Sequence, residues 1–218
     1  MEKDFEDLMN HAPDRVNLSG NLDRFNHPIA KQTSWSPLKS GGTNFKAQKL
    51  KQPEPHIALI QGSIQMKIFA FIFFTIGAGF LIAGVFKFIS PAMKEFPWLV
   101  VIIFGGAFGA AGVFLVREAF KELVIDKREG IIYKQYLPKN PNLPAVPEDT
   151  YKIKEVVAIQ LIKERIKGDE STYYSYEMNL VMADASRLNL MDHGNPDSVV
   201  EDANTLSGFL DVPVWNGM

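Results

Sequence analysis

The chain has 218 residues, a net charge of −2, an isoelectric point of about 6.1 and no cysteine. The nearly neutral charge gives no general attraction to nucleic acid, so we expect no nucleic-acid partner. Without cysteine, disulfides, iron–sulfur ligation and thiolate zinc sites are excluded, and the four scattered histidines give no metal-binding pattern. We therefore expect neither a metal nor a cofactor. Charge and hydropathy divide the chain into three regions, residues 1–63, 64–120 and 121–218.

The first region, residues 1–63, is predicted to be a partly disordered cytosolic arm. Its first ten residues are acidic and lack the basic start and apolar core of a cleavable secretion signal. No helical or strand period persists, and prolines interrupt the segment at Pro13, Pro28, Pro37, Pro53 and Pro55. Trp35 and Phe45 flank a glycine-containing turn, with lysines directly after it. This patch is predicted to dock on the cytosolic domain or on anionic headgroups, and the alternative is a flexible, solvated arm.

The second region contains two uncharged runs that are long enough to cross a bilayer. Residues 68–86 and 97–116 carry no charged side chain, and helices of this length approach the hydrocarbon thickness of about 30 Å. The sequence predicts transmembrane spans at about 67–88 and 97–117, joined by a short loop containing Pro91 into an antiparallel hairpin. A pair of buried core helices is the alternative, but it would require a soluble domain large enough to surround both.

The distribution of basic residues predicts the orientation of this hairpin. Lysines precede the first span, and basic residues such as Arg117 and Lys121 follow the second, whereas only Lys87 and Lys94 lie in or beside the connecting loop. Basic residues near membrane spans favour the cytoplasmic side. We therefore predict a multi-pass protein of the bacterial inner membrane with both termini in the cytoplasm.

The second span holds four glycines within residues 105–112. A dinucleotide-binding loop needs glycine at its first, third and sixth positions, but the third position here is Ala107. In a membrane, small residues four positions apart allow helices to approach closely. This spacing predicts helix packing through Gly79, Ala83, Gly105, Gly109 and Gly112. The contact could be made with the other helix of the same chain or with a second copy in a homo-oligomer.

Neither span contains an ionisable side chain, and Thr75 is the only distinctly polar residue in their interiors. Ion pathways and proton relays usually need intramembrane ionisable groups, so this pattern disfavours an active transporter. A subunit of an oligomeric channel or transport complex remains the alternative to a membrane-anchored binding domain.

The third region, residues 121–218, is predicted to be β-rich. Residues 123–126 and 131–133 form a predicted hairpin around Gly130, and a proline-rich loop at 138–147 follows it. Further strands are predicted at 156–162, at 174–182 and at 187–190. A C-terminal helix is predicted over about residues 196–210, with Asn195 as its N-cap. The predicted fold is therefore an α+β membrane protein, in which a transmembrane helical hairpin precedes an antiparallel sheet closed by a helix.

The order of these elements, short strands in a meander followed by one amphipathic helix, resembles bacterial pleckstrin-homology-like (PH-like) domains found beside pairs of membrane helices. The resemblance covers roughly residues 120–212. Residues 189–194, the following helix and residues 212–215 are also similar to uncharacterised bacterial membrane proteins. These resemblances imply a PH-like fold and carry no activity. Residues 117–218 contain 12 Lys and Arg against 17 Asp and Glu, so a protein partner is favoured over anionic headgroups for this domain.

Two features of the third region bear on binding and catalysis. Trp215 is a candidate anchor for a partner, together with Trp35 and Phe45, although it could instead fold back on the sheet. His193 follows Asp192, but neighbouring strand residues point to opposite faces and the sequence after them is typical of a turn. We therefore predict no enzyme. The expected function is a scaffold, regulator or immunity-type binder, with membrane lipids and a protein as partners.

Overall fold

The computed structural model describes residues 22–38, 41–89, 97–136, 150–167 and 171–218, with the backbone alone at 87–89. Predictions for the acidic N-terminus, the Pro91 loop and the loop at 138–147 lie outside the described residues. The described chain is α+β, with two long apolar helices and two largely antiparallel sheets. This much of the predicted fold class is confirmed.

The two long helices run antiparallel and pack along their length. Helix α2 is Ile64–Ile89, and α3 is Trp98–Ala119, in which Val101–Gly105 forms a π-helical turn before α-helical Gly106–Ala119. Their backbones lie against each other where Gly77 faces Gly109 and where Phe74 faces Gly112. A shorter helix, α1, spans Pro28–Gln32, and α4 spans Pro196–Leu210.

In the sequence, the two long helices lie between two strands that pair with each other in the first sheet. This sheet has the order β1-β2-β3-β4-β5 and is antiparallel throughout. Its strands are Gln48–Glu54, Ile57–Gly62, Lys121–Asp126, Ile131–Tyr136 and Thr150–Lys152. Strand β2 leads into α2 and β3 follows α3, yet Gln61 and Glu122 face each other in one ladder. The sheet therefore fixes the two helix ends side by side.

Strands β1 and β2 lie before the first long helix, where the sequence analysis expected a partly disordered arm and no strand. Strand β1 is mostly polar and contains Pro53, so its sequence lacks a clear alternation. Strand β2 is a short apolar run close to the start of α2. Strand β2 pairs with β3, which lies beyond the helical insertion, and β1 pairs with β2. Both strands therefore depend on a contact that is distant in the sequence.

The second sheet has the order β8-β7-β6-β9, with only the β6–β9 pair parallel. Its strands are Val156–Lys167, Thr172–Met182, Arg187–His193 and Val214–Asn216. The predicted hairpin around Gly130 is present between β3 and β4, and Gly130 has a positive φ of 72°. The predicted pairing of β7 with β8 is also present.

One hydrophobic core lies between the sheets and α4. It joins apolar residues of β2, β3 and β4 to those of β6, β7 and β8, and α4 contributes Val199, Ala203 and Leu206. Helix α4 begins after Asn195, whose side chain accepts a hydrogen bond from the Ser198 N–H at 2.9 Å. It ends before Asp211, which has a left-handed backbone conformation. Helix α4 thus closes the core at the C-terminal end of the chain.

Candidate functional site

Two of the five predicted helix-packing residues, Gly105 and Gly112, face α2 of the same chain. A Cβ added at Gly112 would lie 2.5 Å from the Phe74 Cα, which is backbone of α2. One added at Gly105 would lie 3.3 Å from the Phe80 Cβ. Both glycines are buried. Within this chain, they allow α2 and α3 to approach closely, as the first of the two sequence-based alternatives expected.

The other three predicted packing residues are placed differently. A Cβ added at Gly79 or Gly109 would meet no atom within 4 Å, and Ala83 is half-buried. Two glycines outside the predicted set also lie against α3. An added Cβ at Gly77 would lie 2.5 Å from the Gly109 Cα, and one at Gly84 would contact a side chain of α3 at 2.9 Å. Both missed residues lie in the predicted first span, and their spacing of seven was the signal available.

The two tryptophans predicted as partner contacts lie together within the chain. Trp35 stacks on Phe25 with 5.1 Å between ring centroids and lies 6.5 Å from Trp215. Its indole N–H donates to the Ala30 carbonyl oxygen at 2.8 Å. Trp215 is only 1% exposed, so its ring packs against residues of its own chain. A Cβ added at Gly217 would lie 2.8 Å from the Trp35 ring, which shows how closely this ring covers the last strand.

Residues 22–38 and 41–45, hereafter the strap, cross the outer face of the second sheet. Of the sequence-based alternatives for this segment, docking on the domain is what the structure shows. Only Ala30 and Thr33 are buried among the strap residues. At its C-terminal end, the half-buried Phe45 lies 6.0 Å from Phe69 of α2, measured between ring centroids. The Phe45 carbonyl also accepts a hydrogen bond from the Gly194 N–H.

The sheet face beneath the strap is buried and has an apolar and a polar part. Ala158, Val181 and Trp215 form the apolar part with Ala30 of the strap. Strand alternation directs Ile159 and Leu161 into the main core and leaves Gln160 on the opposite face. Buried polar side chains require hydrogen-bond partners. Five polar residues on this face are at most 7% exposed: Gln160, Glu164, Ser175, Glu177 and Asn179.

Two buried carboxylates of this face accept hydrogen bonds from the strap backbone. The Glu177 oxygens accept from the Leu38 N–H at 2.8 and 3.1 Å. Those of Glu164 accept from the N–H groups of Gly41 and Gly42 at 3.2 and 3.5 Å. Hydrogen bonds to a charged acceptor are stronger than those between neutral groups. Both glutamates therefore bind main-chain atoms of the strap.

Strap carbonyl groups are bound in the same way by side chains of the sheet. Gln160 donates to the Ser34 carbonyl oxygen at 2.9 Å, and Arg187 donates to that of Ser36 at 2.8 Å. Burial lowers the pKa of the Arg187 guanidinium, and the Glu177 carboxylate 3.9 Å away opposes that shift. The face therefore offers both donors and acceptors to an extended main chain.

A glycine marks the closest approach between strap and sheet. A Cβ added at Gly42 would overlap the Ser175 side chain. The Tyr173 hydroxyl donates to the Gly42 carbonyl oxygen at 3.1 Å. The polar face was not predicted from the sequence. Its signals were Gln160, the one polar residue within the apolar run 156–162, and the alternation of Ser175, Glu177 and Asn179 with apolar residues.

His193, the residue considered and rejected as a base, is completely buried next to α4. Its Nδ1 accepts a hydrogen bond from the Asn195 N–H at 3.2 Å, while its Nε2 has no hydrogen-bond partner among the described residues. Burial, and then the nearby Lys46, lower its pKa to about 4. Asp192 stands opposite Glu177 in the ladder and His193 opposite Tyr176, so the two neighbours point to different faces.

Neither metal chemistry nor similarity to known proteins assigns a role to these groups. Within the described ranges, no group of three or more His, Asp or Glu residues is placed to hold a metal ion. No family model matches the chain, and no curated protein matches it. The arrangement best suited to binding is therefore the polar sheet face that holds the strap by its main chain.

Proposed function

We propose that this chain is an integral protein of the bacterial inner membrane, which uses α2 and α3 as a transmembrane hairpin. The observation that carries the proposal is the exposure of these two apolar helices. Only 17% of the most apolar 18-residue stretch of each helix is buried. Leu81, Ile102 and Phe114 are each more than half exposed. A surface this apolar is costly in water, and lipid chains solvate it favourably.

Charged and aromatic groups at one end of the helices support the orientation that we propose. Lys67 lies over the Phe120 ring, and Arg117 and Lys121 lie over the Tyr136 ring, all beside the first sheet. Basic residues at this end favour the cytoplasmic side. Both termini and both sheets would then lie in the cytoplasm.

The cytosolic part is proposed to bind protein and not to act as an enzyme. The polar sheet face binds the strap through side-chain-to-backbone hydrogen bonds, and hydrogen bonding to the main chain is a source of affinity in peptide recognition. The acidic balance of residues 117–218 disfavours binding to anionic headgroups. We propose a scaffold, regulator or immunity-type binder held at the membrane surface, with lipid around the helices and a protein at the sheet.

A PH-like fold is a further part of this proposal. Two sheets that share one core, closed by a C-terminal helix, support it. In this chain the first sheet gains β1 and β2 from the segment before the helical insertion, and β9 follows the helix.

Membrane fractionation tests the proposal. The full chain, expressed in a bacterium, should sediment with the membrane, resist extraction by alkaline carbonate and dissolve in mild detergent. Recovery of a folded, monodisperse chain from the soluble fraction without detergent would refute it.

A further inference from the structure

We propose that the outer face of the second sheet is a peptide-docking site, which the strap occupies in the resting chain and an extended segment of a partner protein occupies in exchange. The proposal rests on the proposed interaction function and identifies the surface that carries it. The partner segment is defined chemically. It is non-helical, as the described strap residues from Trp35 onward are, and it carries an aromatic residue and, seven positions later, a glycine, as Trp35 and Gly42 are spaced in the strap.

The hydrogen bonds explain why the face would accept a segment from another protein. Glu164, Glu177, Gln160 and Arg187 all bind main-chain atoms of the strap. Main-chain N–H and C=O groups occur in every peptide, so these bonds do not depend on strap side chains. In peptide recognition, hydrogen bonds to the main chain supply affinity, and pockets for side chains supply specificity.

Two positions of the strap define that specificity. The Trp35 ring lies against Gly217 and near Trp215, so the position that it occupies can accept a flat aromatic ring. Gly42 passes so close to Ser175 that any larger residue would overlap it. An aromatic anchor followed by a glycine at this distance is the selective part of the segment.

The burial pattern indicates that the strap can leave while the domain stays folded. The core that joins the sheets to α4 does not include the strap. The strap packs into a separate, smaller cluster, in which Ala30 is buried with Ala158, Val181 and Trp215 of the second sheet. Segments with few buried apolar contacts open at a lower free energy than core strands. Release uncovers the two glutamates, Gln160 and Arg187, to which water can hydrogen-bond. It also uncovers the small apolar surface of Ala158, Val181 and Trp215, which an aromatic residue of the partner segment would cover again.

Tethering sets the competition between strap and partner. A short tether gives the strap an effective concentration in the millimolar range. A free peptide of the same sequence at about 10 μM would therefore be outcompeted roughly 100-fold in the wild-type chain. Weakening the strap without altering the face should reveal the site.

The test uses the full chain in detergent micelles and a fluorescent synthetic peptide with the sequence of residues 22–45. Trp35→Ala in the protein removes the contacts of this ring with Phe25, Trp215 and Gly217 and so weakens the strap, while the sequence of the sheet stays the same. This variant should bind the peptide, with at least tenfold higher affinity than the wild-type chain shows. A matched peptide that itself carries Trp35→Ala should bind the variant at least tenfold more weakly. A folded variant that binds neither peptide at 1 mM (about 4 kcal/mol), or both equally, would overturn the proposal.

Hydrogen exchange on the wild-type chain keeps the proposal testable if Trp35→Ala does not fold. The amides of Leu38, Gly41 and Gly42 should exchange at least a hundredfold faster than core amides of β6 and β7. Exchange of the strap amides only together with the core would overturn it. A strap-exchanged dimer of the wild-type chain would also contradict a heterologous partner. None of these measurements involves a bilayer, so their failure is distinct from failure of the membrane proposal.

Discussion

The contact between α2 and α3 predicts that two identical substitutions in one helix will have opposite effects. Gly112→Ala places a methyl group 2.5 Å from the Phe74 Cα, whereas Gly106→Ala places one where no atom lies within 4 Å. Both changes remove a glycine from α3 and gain up to about 1 kcal/mol in helix propensity. They differ in what the new methyl group meets.

The magnitude follows from the distance. An ordinary Cβ contact is 3.4–4 Å, so Gly112→Ala requires the helices to separate by about 1 Å. Overpacking of this kind costs about 1–3 kcal/mol. We expect Gly112→Ala to be less stable than Gly106→Ala by about 1–3 kcal/mol. The free energy of unfolding is measured by titrating sodium dodecyl sulfate into mixed micelles and following helicity by circular dichroism.

A third variant makes the test stricter. Gly109→Ala adds its methyl group in open space, although the Gly109 backbone touches Gly77, so it should behave as Gly106→Ala does. Equal stability of all three variants would refute the packing of α2 against α3 described above. A change of oligomeric state in Gly106→Ala or Gly109→Ala would show that the outward face contacts a second copy.

Three further predictions concern the sheets and α4. Asn195→Ala removes the N-cap of α4 and should lower the free energy of unfolding by about 1 kcal/mol, whereas Asn204→Ala, at an exposed position in the same helix, should not lower it. His193 has a pKa lowered to about 4 in the fold, from an ordinary value of 6.5. The unfolded chain therefore takes up its proton first as pH falls, so stability should drop by up to about 3 kcal/mol between pH 6.5 and 4. His193→Asn should flatten that dependence in denaturant titrations at several pH values, and an unchanged slope would contradict the assignment. Replacing residues 63–120 with Asn-Gly should leave a domain that folds without detergent. Strands β2 and β3 are antiparallel partners, so a two-residue turn can join the end of β2 to the start of β3. Aggregation without β-sheet circular dichroism would count against the insertion.

Local patterns were sufficient where a structure depends on neighbouring residues. The uncharged runs predicted both long helices, Gly130 predicted the β3–β4 turn, and Asn195 with Pro196 predicted the start of α4. Each of these signals requires only a few adjacent residues, or one unbroken run. The structure contains each of these elements.

Contacts between distant parts of the chain could not be predicted in this way. Strand β2 is stabilised by β3 across the whole helical insertion, and Gly77 matters because Gly109 lies against it. Glu177 lies between Tyr176 and Met178, an alternation typical of a half-buried strand, and Glu164 lies between two charged residues. The strap buries both glutamates. The sequence lacks a local signal for such a cover, since its hydrogen bonds use main-chain atoms.

The position of the domain relative to the membrane is the central claim, and cysteine labelling tests it most directly. The chain has no cysteine, so single substitutions report without background. Gly208→Cys lies on the exposed side of α4, with no atom within 4 Å of the new Cβ, and Ala92→Cys lies between the two helices in sequence. In intact bacteria, a membrane-impermeant maleimide should label Ala92→Cys and reach Gly208→Cys only after permeabilisation. Labelling of Gly208→Cys in intact cells would contradict the account.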